Sequence, residues 1–168
     1  KADGSYDPAY RSAQQFSNAD NGQGINVYDG ANDTIVDGNY VASVFDGIQT
    51  EAPNSQRNII RNNIIGRSPL GPAAPLTGWG VVVRWGTKFS VIDSNSIQNA
   101  AKGGIGMLNT TNGGNPISPA YNMRLTRNIV TATNGPAIDL FGLARPDPKD
   151  PTKAYTVANT APTTPIFA

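Results

Sequence analysis

Short apolar runs recur along this chain at regular intervals, separated by polar and turn-forming residues. In one series each run follows a glycine, or in the last case a proline and an alanine, and begins with an aliphatic residue. These aliphatic residues step by 23, 33, 24 and 33 positions and are Ile25, Ile48, Val81, Ile105 and Ile138. Because the runs are short, mostly β-branched and bounded by turn residues, they predict five strands.

A second series lies between these runs. Its template is an aliphatic residue, two polar or small residues, asparagine, any residue and a second aliphatic residue. The template occurs four times, and its asparagines step by 24, 32 and 33 positions: Asn39, Asn63, Asn95 and Asn128. Two turn-rich insertions, Pro69–Gly78 and Asn109–Asn122, account for the longer steps, which leaves a basic period of 23 to 24 residues.

A period of this length, made of strands without helices, predicts a β-solenoid. Alternation along each strand sends the aliphatic positions of both series into the core. The recurring asparagine is expected at a corner between two strands, where it tolerates a left-handed backbone and bonds to its stacked copies. We therefore predict an asparagine ladder through the four template positions.

The asparagine corner followed by a Gly-Ile strand resembles the right-handed parallel β-helix repeats of the pectate-lyase-like superfamily. The resemblance covers residues 23–142 and implies an all-β fold with three parallel sheets and an extracellular, polysaccharide-related setting. That superfamily includes lyases, hydrolases, alginate epimerases and phage tailspike depolymerases. Residues 1–22 then form an N-terminal arm or cap, and the Pro-rich residues 143–168 form an extended C-terminal tail or cap.

Composition agrees with strands and turns, and it removes several kinds of chemistry. The 168 residues include 18 Gly, 18 Asn and 13 Pro, which disfavours helices. A net charge of +1 provides no field for binding nucleic acid, and no apolar run is long enough to insert into a membrane. The absence of Cys and His excludes disulfides, thiol nucleophiles and histidine bases.

The outward positions of the first strand series are the candidate ligand-binding surface. Two columns are expected to face solvent there, and their members with binding chemistry are Tyr28, Glu51, Arg84, Trp85, Asp139 and Phe141. Aromatic rings stack on sugars, and an arginine pairs with the carboxylate of a uronate. The alternative is an ordinary surface on which Glu51 and Arg84 form an exposed ion pair.

No catalytic set emerges from these residues. Glu51 and Asp139 are three coils apart, about 14 Å at the usual strand spacing, which exceeds the separation of a glycosidase pair. If the chain is an enzyme, the resemblance favours a lyase or epimerase, with Arg84 as the candidate base. Asp46 precedes a glycine, which is typical of a turn. No cofactor is expected; the resemblance allows calcium, but no dense acidic cluster supports it.

The other two outer faces carry apolar columns, which predict a cover from another part of the chain or another subunit. These columns are Ile35, Ile59 and Val91 on the second sheet, and Tyr40, Ile64 and Ile129 on the third. Two functions stay open. One is an extracellular module that binds, or binds and processes, a polysaccharide or cell-surface glycan along the first sheet. The other is a structural segment of a fibre, tailspike, adhesin or surface scaffold, self-associating or part of a larger protein.

Overall fold

The computed structural model describes residues 22–70, 73–108, 120, 122–139, 144–147 and 150–156. Within these residues all regular secondary structure is β-strand. The strands are, in chain order, β1 Ile25–Val27, β2 Ile35–Asp37, β3 Tyr40–Val41, β4 Ile48–Thr50, β5 Ile59–Arg61, β6 Ile64–Ile65, β7 Trp79–Arg84, β8 Val91–Asp93, β9 Ser96–Gln98, β10 Gly103–Leu108, β11 Arg124–Thr126, β12 Ile129–Thr131, β13 Ile138–Asp139, β14 Ala144–Asp147 and β15 Asp150–Thr156.

Thirteen of these strands build three parallel sheets in which every third strand pairs. The first sheet has the order β1-β4-β7-β10-β13, the second β11-β8-β5-β2 and the third β12-β9-β6-β3. Each coil therefore adds one strand to each sheet, which is the arrangement of a three-sided parallel β-solenoid. The remaining strands, β14 and β15, pair with each other in antiparallel orientation within the segment predicted as the C-terminal tail or cap.

The register of the sheets confirms both predicted series. In the first sheet, the aligned residues are Ile25, Ile48, Val81, Ile105 and Ile138. In the second, they are Val36, Ile60, Ile92 and Leu125. In the third, they are Val41, Ile65, Ile97 and Val130. Most of these side chains form one continuous core, with full burial in the middle coils and more exposure toward both ends.

The asparagine ladder is also confirmed, and each step is a double hydrogen bond. The backbone N–H and the Nδ2 of Asn39 both donate to Oδ1 of Asn63, at 2.9 and 3.0 Å. Asn63 binds Asn95 in the same way, and Asn95 binds Asn128. The second proton of each inner amide goes to a backbone carbonyl of the preceding coil, such as Val36 for Asn63. Every polar atom of the inner corner amides therefore has a partner.

The predicted backbone of the ladder asparagines is wrong by one residue. None of the four has a positive φ; the left-handed residue is the one before each of them. These residues are Gly38, Asn62, Ser94 and Arg127, with φ of 69°, 55°, 55° and 54°. The reason is directional: an extended asparagine sends its side chain into the corner, while the left-handed residue outside turns the chain.

A second polar ladder, not predicted from the sequence, runs along the corner before the second sheet. The backbone N–H of Thr34 donates to Oδ1 of Asn58, and the N–H of Asn58 donates to Oγ of Ser90, both at 3.0 Å. The signal is a short polar residue immediately before β2, β5 and β8, at spacings of 24 and 32. This ladder is hard to recognise in the sequence because its residue type changes from coil to coil. Serine and asparagine can both serve as side-chain acceptors for the stacked N–H.

The insertion Pro69–Gly78 contributes to the core as well as lengthening its coil. Leu76 is fully buried and forms a parallel bridge with Ala100 of the next coil. Just before the insertion, Gly66 has a φ of 82°, and a Cβ there would collide with the carbonyl oxygen of Gln98. The chain leaves the third sheet at a point where only glycine fits. Most of the other predicted insertion, Asn109–Asn122, lies outside the described residues.

We expect Asn63→Leu to lower the free energy of unfolding by about 2 to 4 kcal/mol, because it strands the buried N–H of Asn39 and the carbonyl of Val36. Asn39→Leu, at the half-buried first step of the ladder, is the matched control and should cost clearly less. Urea unfolding of both variants measures the difference. Equal losses, or no loss for Asn63→Leu, would contradict a ladder that is strongest inside.

Candidate functional site

The outer face of the first sheet is largely buried, although the sequence predicted that its two outward columns face solvent. Gln49, Glu51, Val82 and Arg84 point away from the core by alternation, yet all four are buried, with Glu51 and Arg84 only 5% and 6% exposed. The expectation that Glu51 and Arg84 face solvent is therefore wrong. So is the alternative of an exposed Glu51–Arg84 pair, because Arg84 binds a different carboxylate.

Arg84 forms a buried ion pair with Asp46, a residue expected only to make a turn. Its Nη2 donates to Oδ2 of Asp46 at 2.9 Å, and the backbone N–H of Trp79 donates to Oδ1 at 2.7 Å. Trp79 and Arg84 stand at opposite ends of β7, about 16 Å apart at the usual rise per residue. Since both reach one carboxylate, the Arg84 side chain must run back along its own strand. It covers Val82 instead of extending into solvent.

The Trp79 ring covers the outer face of the neighbouring coil at Gly106. Gly106 pairs with Val82 across β7 and β10, so its outward side is on the same face. A Cβ at Gly106 would lie 2.8 Å from the Trp79 indole, which shows that the ring occupies the space of the missing side chain. Trp79 itself is buried. The glycine in this strand is thus a docking place for an aromatic ring and leaves no gap for a ligand.

Glu51 lies beyond this closed region, at the end of β4. Its Oε1 accepts a hydrogen bond from Nδ2 of Asn26 at 3.0 Å. Its Oε2 is buried and has no hydrogen-bond partner among the described residues, and no described cation pairs with the carboxylate. The indole Nε1 of Trp85 is buried and unpartnered in the same way. Oε2 of Glu51 and Nε1 of Trp85 thus offer an acceptor and a donor at the same end of the sheet.

Tyr28 and Trp85 contact each other at the same end of the first sheet as Glu51. Their ring centroids are 6.5 Å apart with an interplanar angle of 66°, an edge-to-face contact. Continuing the sheet register places Tyr28 beside Glu51 and Trp85 beside Ala52, so the rings come from the coils on either side. Two coil spacings are about 9.6 Å, so the rings lean together over the middle coil. Trp85 has a φ of 53°, which turns it out of the strand direction.

The six predicted ligand-binding residues thus separate into groups. Tyr28, Glu51 and Trp85 gather at one end of the first sheet, while Arg84 is committed to Asp46. Asp139 lies half-buried at the far edge of the sheet, and burial raises its carboxyl pKa. Phe141 lies outside the described residues. Sequence reasoning missed Asn26, whose signal was its outward position one pleat away from Glu51.

The contact with Asp46 bears on Arg84 as a candidate base. A general base must reach the proton that it removes, and the buried guanidinium of Arg84 is bound to the Asp46 carboxylate. The arrangement therefore suits Arg84 for holding two coils together and does not favour proton abstraction. Within the described part of the chain, no cluster of three or more carboxylates could hold a metal ion.

The apolar columns of the other faces are partly open to solvent. Ile35, Tyr40 and Ile129 are 56%, 50% and 63% exposed. The predicted cover over these three side chains is therefore not formed by the described residues of the monomer. In the described residues there is also no helix long and apolar enough to cross a membrane.

Three stacked parallel sheets joined by an internal asparagine ladder define a parallel β-helix protein. Residues 15–147 match the family described as right handed beta helix region, and the chain belongs to that family. The match begins before residue 23, where the resemblance had been placed. Neither the curated proteins nor the solved structures contain a significant match to this chain. Membership in this family indicates a carbohydrate-related or structural role.

We expect Asp46→Asn to lower the free energy of unfolding by about 3 to 5 kcal/mol, because Arg84 keeps its charge in a site that is 8% exposed. Asp33→Asn breaks an exposed ion pair with Arg57 and should change stability far less. Denaturant unfolding compares the two. A loss for Asp46→Asn as small as that for Asp33→Asn would show that the pair does not hold the face closed.

Two aspartates should shift stability with pH in opposite directions. The Arg127 guanidinium and the Thr126 hydroxyl hold the pKa of Asp93 well below its usual range, so its stabilisation is present above pH about 4 and lost on acidification. The pKa of Asp139 is raised, so its contribution is complete below pH about 4 and lost as its carboxyl ionises.

At pH 7 we therefore expect Asp139→Asn to raise the thermal midpoint and Asp93→Asn to lower it. Both differences from the parent protein should shrink as the pH falls below about 4. Thermal melts across this range measure them. Shifts of the same sign at pH 7 would contradict the assignment of burial to Asp139 and of ion pairing to Asp93.

Proposed function

We propose that this β-helix is an extracellular polysaccharide-binding module that contacts its glycan at the Tyr28–Trp85 end of the first sheet. The observation that carries the proposal is the aromatic pair itself. Tyr28 is 50% exposed and contacts Trp85 edge-on, so one face of the tyrosine ring is available for stacking on a sugar. Aromatic pairs held at fixed geometry on a rigid scaffold are suited to stacking at low entropic cost.

The proposed glycan is neutral, whereas the sequence left the identity of the glycan open and allowed a uronate at Arg84. Pairing with a uronate needed a free guanidinium at Arg84, and that group is buried against Asp46. Stacking on Tyr28 does not depend on the charge of the sugar, so a neutral polysaccharide suits the surface. The proposal is limited to binding, because the gathered residues include only one of the two carboxylates that a glycosidase needs.

Affinity electrophoresis in gels containing hydroxyethyl cellulose, dextran or polygalacturonate tests this function. The parent protein should be retarded by at least one neutral polymer. Tyr28→Ala should weaken that binding about threefold to tenfold, the value of an aromatic contact of about 0.5 to 1.5 kcal/mol. Tyr40→Ala is the matched control: Tyr40 has the same 50% exposure but lies on the third sheet, so its removal should change nothing. Equal effects of the two variants, or no retardation, would overturn the proposal.

A structural role in an assembly is the second candidate. It rests on the exposed Ile35 and Ile129, which give the second and third sheets apolar outer surfaces. Sedimentation at micromolar concentration discriminates between the two functions. An assembly segment should self-associate and lose that property in Ile129→Lys, whereas a binding module should remain monomeric with and without the substitution.

A further inference from the structure

We propose that Glu51 and Trp85 form a subsite for one hydroxyl of a neutral sugar, which donates to Oε2 of Glu51 and accepts from Nε1 of Trp85. The inference rests on the proposed function and names the chemistry by which that surface selects its ligand. It starts from two of the buried atoms that make no hydrogen bond to the described residues: Oε2 of Glu51, an acceptor, and Nε1 of Trp85, a donor.

The Glu51 carboxylate is unusual for its depth in the protein. Glu51 is 5% exposed, and its one hydrogen bond comes from the neutral amide of Asn26. Buried carboxylates are normally compensated by cations or by several donors. The nearest arginine along the sheet, Arg84, donates to Asp46 instead. A ligand group that donates a hydrogen bond to Oε2 would supply the partner that the described residues do not provide.

A hydroxyl can form hydrogen bonds with both Oε2 of Glu51 and Nε1 of Trp85, whereas other polar groups can bond to only one of them. It is a donor and an acceptor at once, whereas an ammonium only donates and a carboxylate only accepts. Glu51 and Trp85 come from adjacent coils and are offset by one residue in the register of β4 and β7. An oxygen with two hydrogen bonds of about 2.8 Å spans up to about 5.6 Å, so the shared hydroxyl requires Oε2 and Nε1 to lie within that distance of each other in the bound state.

The Tyr28 ring is the part of the site that can move. Glu51 lies on the coil between those that carry Tyr28 and Trp85, whose rings contact each other edge to face. Tyr28 is half exposed, so its ring has solvent on one side into which to rotate. With the ring displaced, a sugar stacked on Tyr28 presents its hydroxyls toward the coil of Glu51. Aromatic stacking and the hydroxyl subsite then act on the same sugar unit.

The charge of the subsite selects against acidic sugars. Asp46 already compensates the charge of Arg84, while the charge of Glu51 has no cation among the described residues. A uronate placed on Tyr28 would bring a second carboxylate beside Glu51, and like charges at such distances repel strongly in a partly buried site. The subsite therefore takes neutral, hydroxyl-rich polysaccharides at this end of the sheet and excludes polyuronates.

A double-mutant cycle on the intact chain tests the subsite. Glu51→Gln removes the charge at nearly the same shape, and Trp85→Phe keeps a ring without the N–H. We expect each to weaken binding of the neutral polymer about tenfold, and the double variant to lose little more than Glu51→Gln alone, because one hydroxyl serves both atoms. Asp33→Asn, which removes one exposed negative charge, is the control and should leave binding unchanged.

The outcomes separate the subsite from the broader function. Loss of binding in Tyr28→Ala with no loss in Glu51→Gln would overturn the subsite and leave polysaccharide binding standing. Losses in the cycle that multiply to about a hundredfold would overturn the shared hydroxyl. Stronger retardation by polygalacturonate than by neutral polymers would overturn the charge selection. Failure of every polymer to retard the parent protein would overturn both proposals. An unchanged thermal midpoint in Glu51→Gln confirms that the variant reports binding and not unfolding.

Discussion

Oδ1 of each of Asn63, Asn95 and Asn128 accepts two hydrogen bonds from the ladder asparagine of the preceding coil, and this contact fixes the register of the β-helix. A corner inside a solenoid buries backbone N–H groups that have no strand to pair with, and each such group would cost free energy if left alone. Oδ1 of Asn63 accepts both N–H groups of Asn39, and Asn95 does the same for Asn63. Slipping one coil by one residue would break both bonds and turn every core side chain outward.

The same need for partners closes the outer face of the first sheet. Asp46 is fully buried and accepts hydrogen bonds from the main chain of Trp79 and the side chain of Arg84. The long arginine side chain lies flat, and the Trp79 ring fills the place above Gly106. What is left accessible is one end of the sheet, where Tyr28 and Trp85 lie near Glu51, a carboxylate with one oxygen that makes no hydrogen bond to the described residues. The proposed binding surface is small because side chains of the protein itself bury the rest of the face.

The repeat could be predicted from the sequence because the same pattern of apolar and polar residues recurs from coil to coil. The registers through Ile48 and through Asn63 follow from spacing alone, since two independent series with the same uneven period can both stay in register only if the coils stack. The burial of Arg84 could not be predicted in that way. Its partner Asp46 is 38 residues distant, occurs once, and precedes a glycine as turn aspartates do. Periodicity describes contacts that repeat, and the candidate site depends on contacts that occur once.

Which residue at each corner adopts the left-handed backbone could not be predicted from the sequence either. Asparagine is a common left-handed residue, yet the left-handed position is taken by whichever residue precedes the ladder, even by Arg127. The side chain that must reach inward determines the backbone conformation there, and the preceding residue, which lies exposed or half-buried at the surface, takes the left-handed conformation. Intrinsic preference is overruled because the ladder contact is worth more than the cost of one left-handed residue.

Hydrogen exchange of the ladder amides tests the central claim most directly. In a ¹⁵N-labelled sample, the Nδ2 protons of Asn63 and Asn95 should exchange far more slowly than those of the exposed Asn54, because each is buried and donates two hydrogen bonds. Protection of both side chains at the level of the backbone amides in β4 and β7 is the result expected from a continuous ladder. Exchange of Asn63 and Asn95 as fast as that of Asn54 would contradict it.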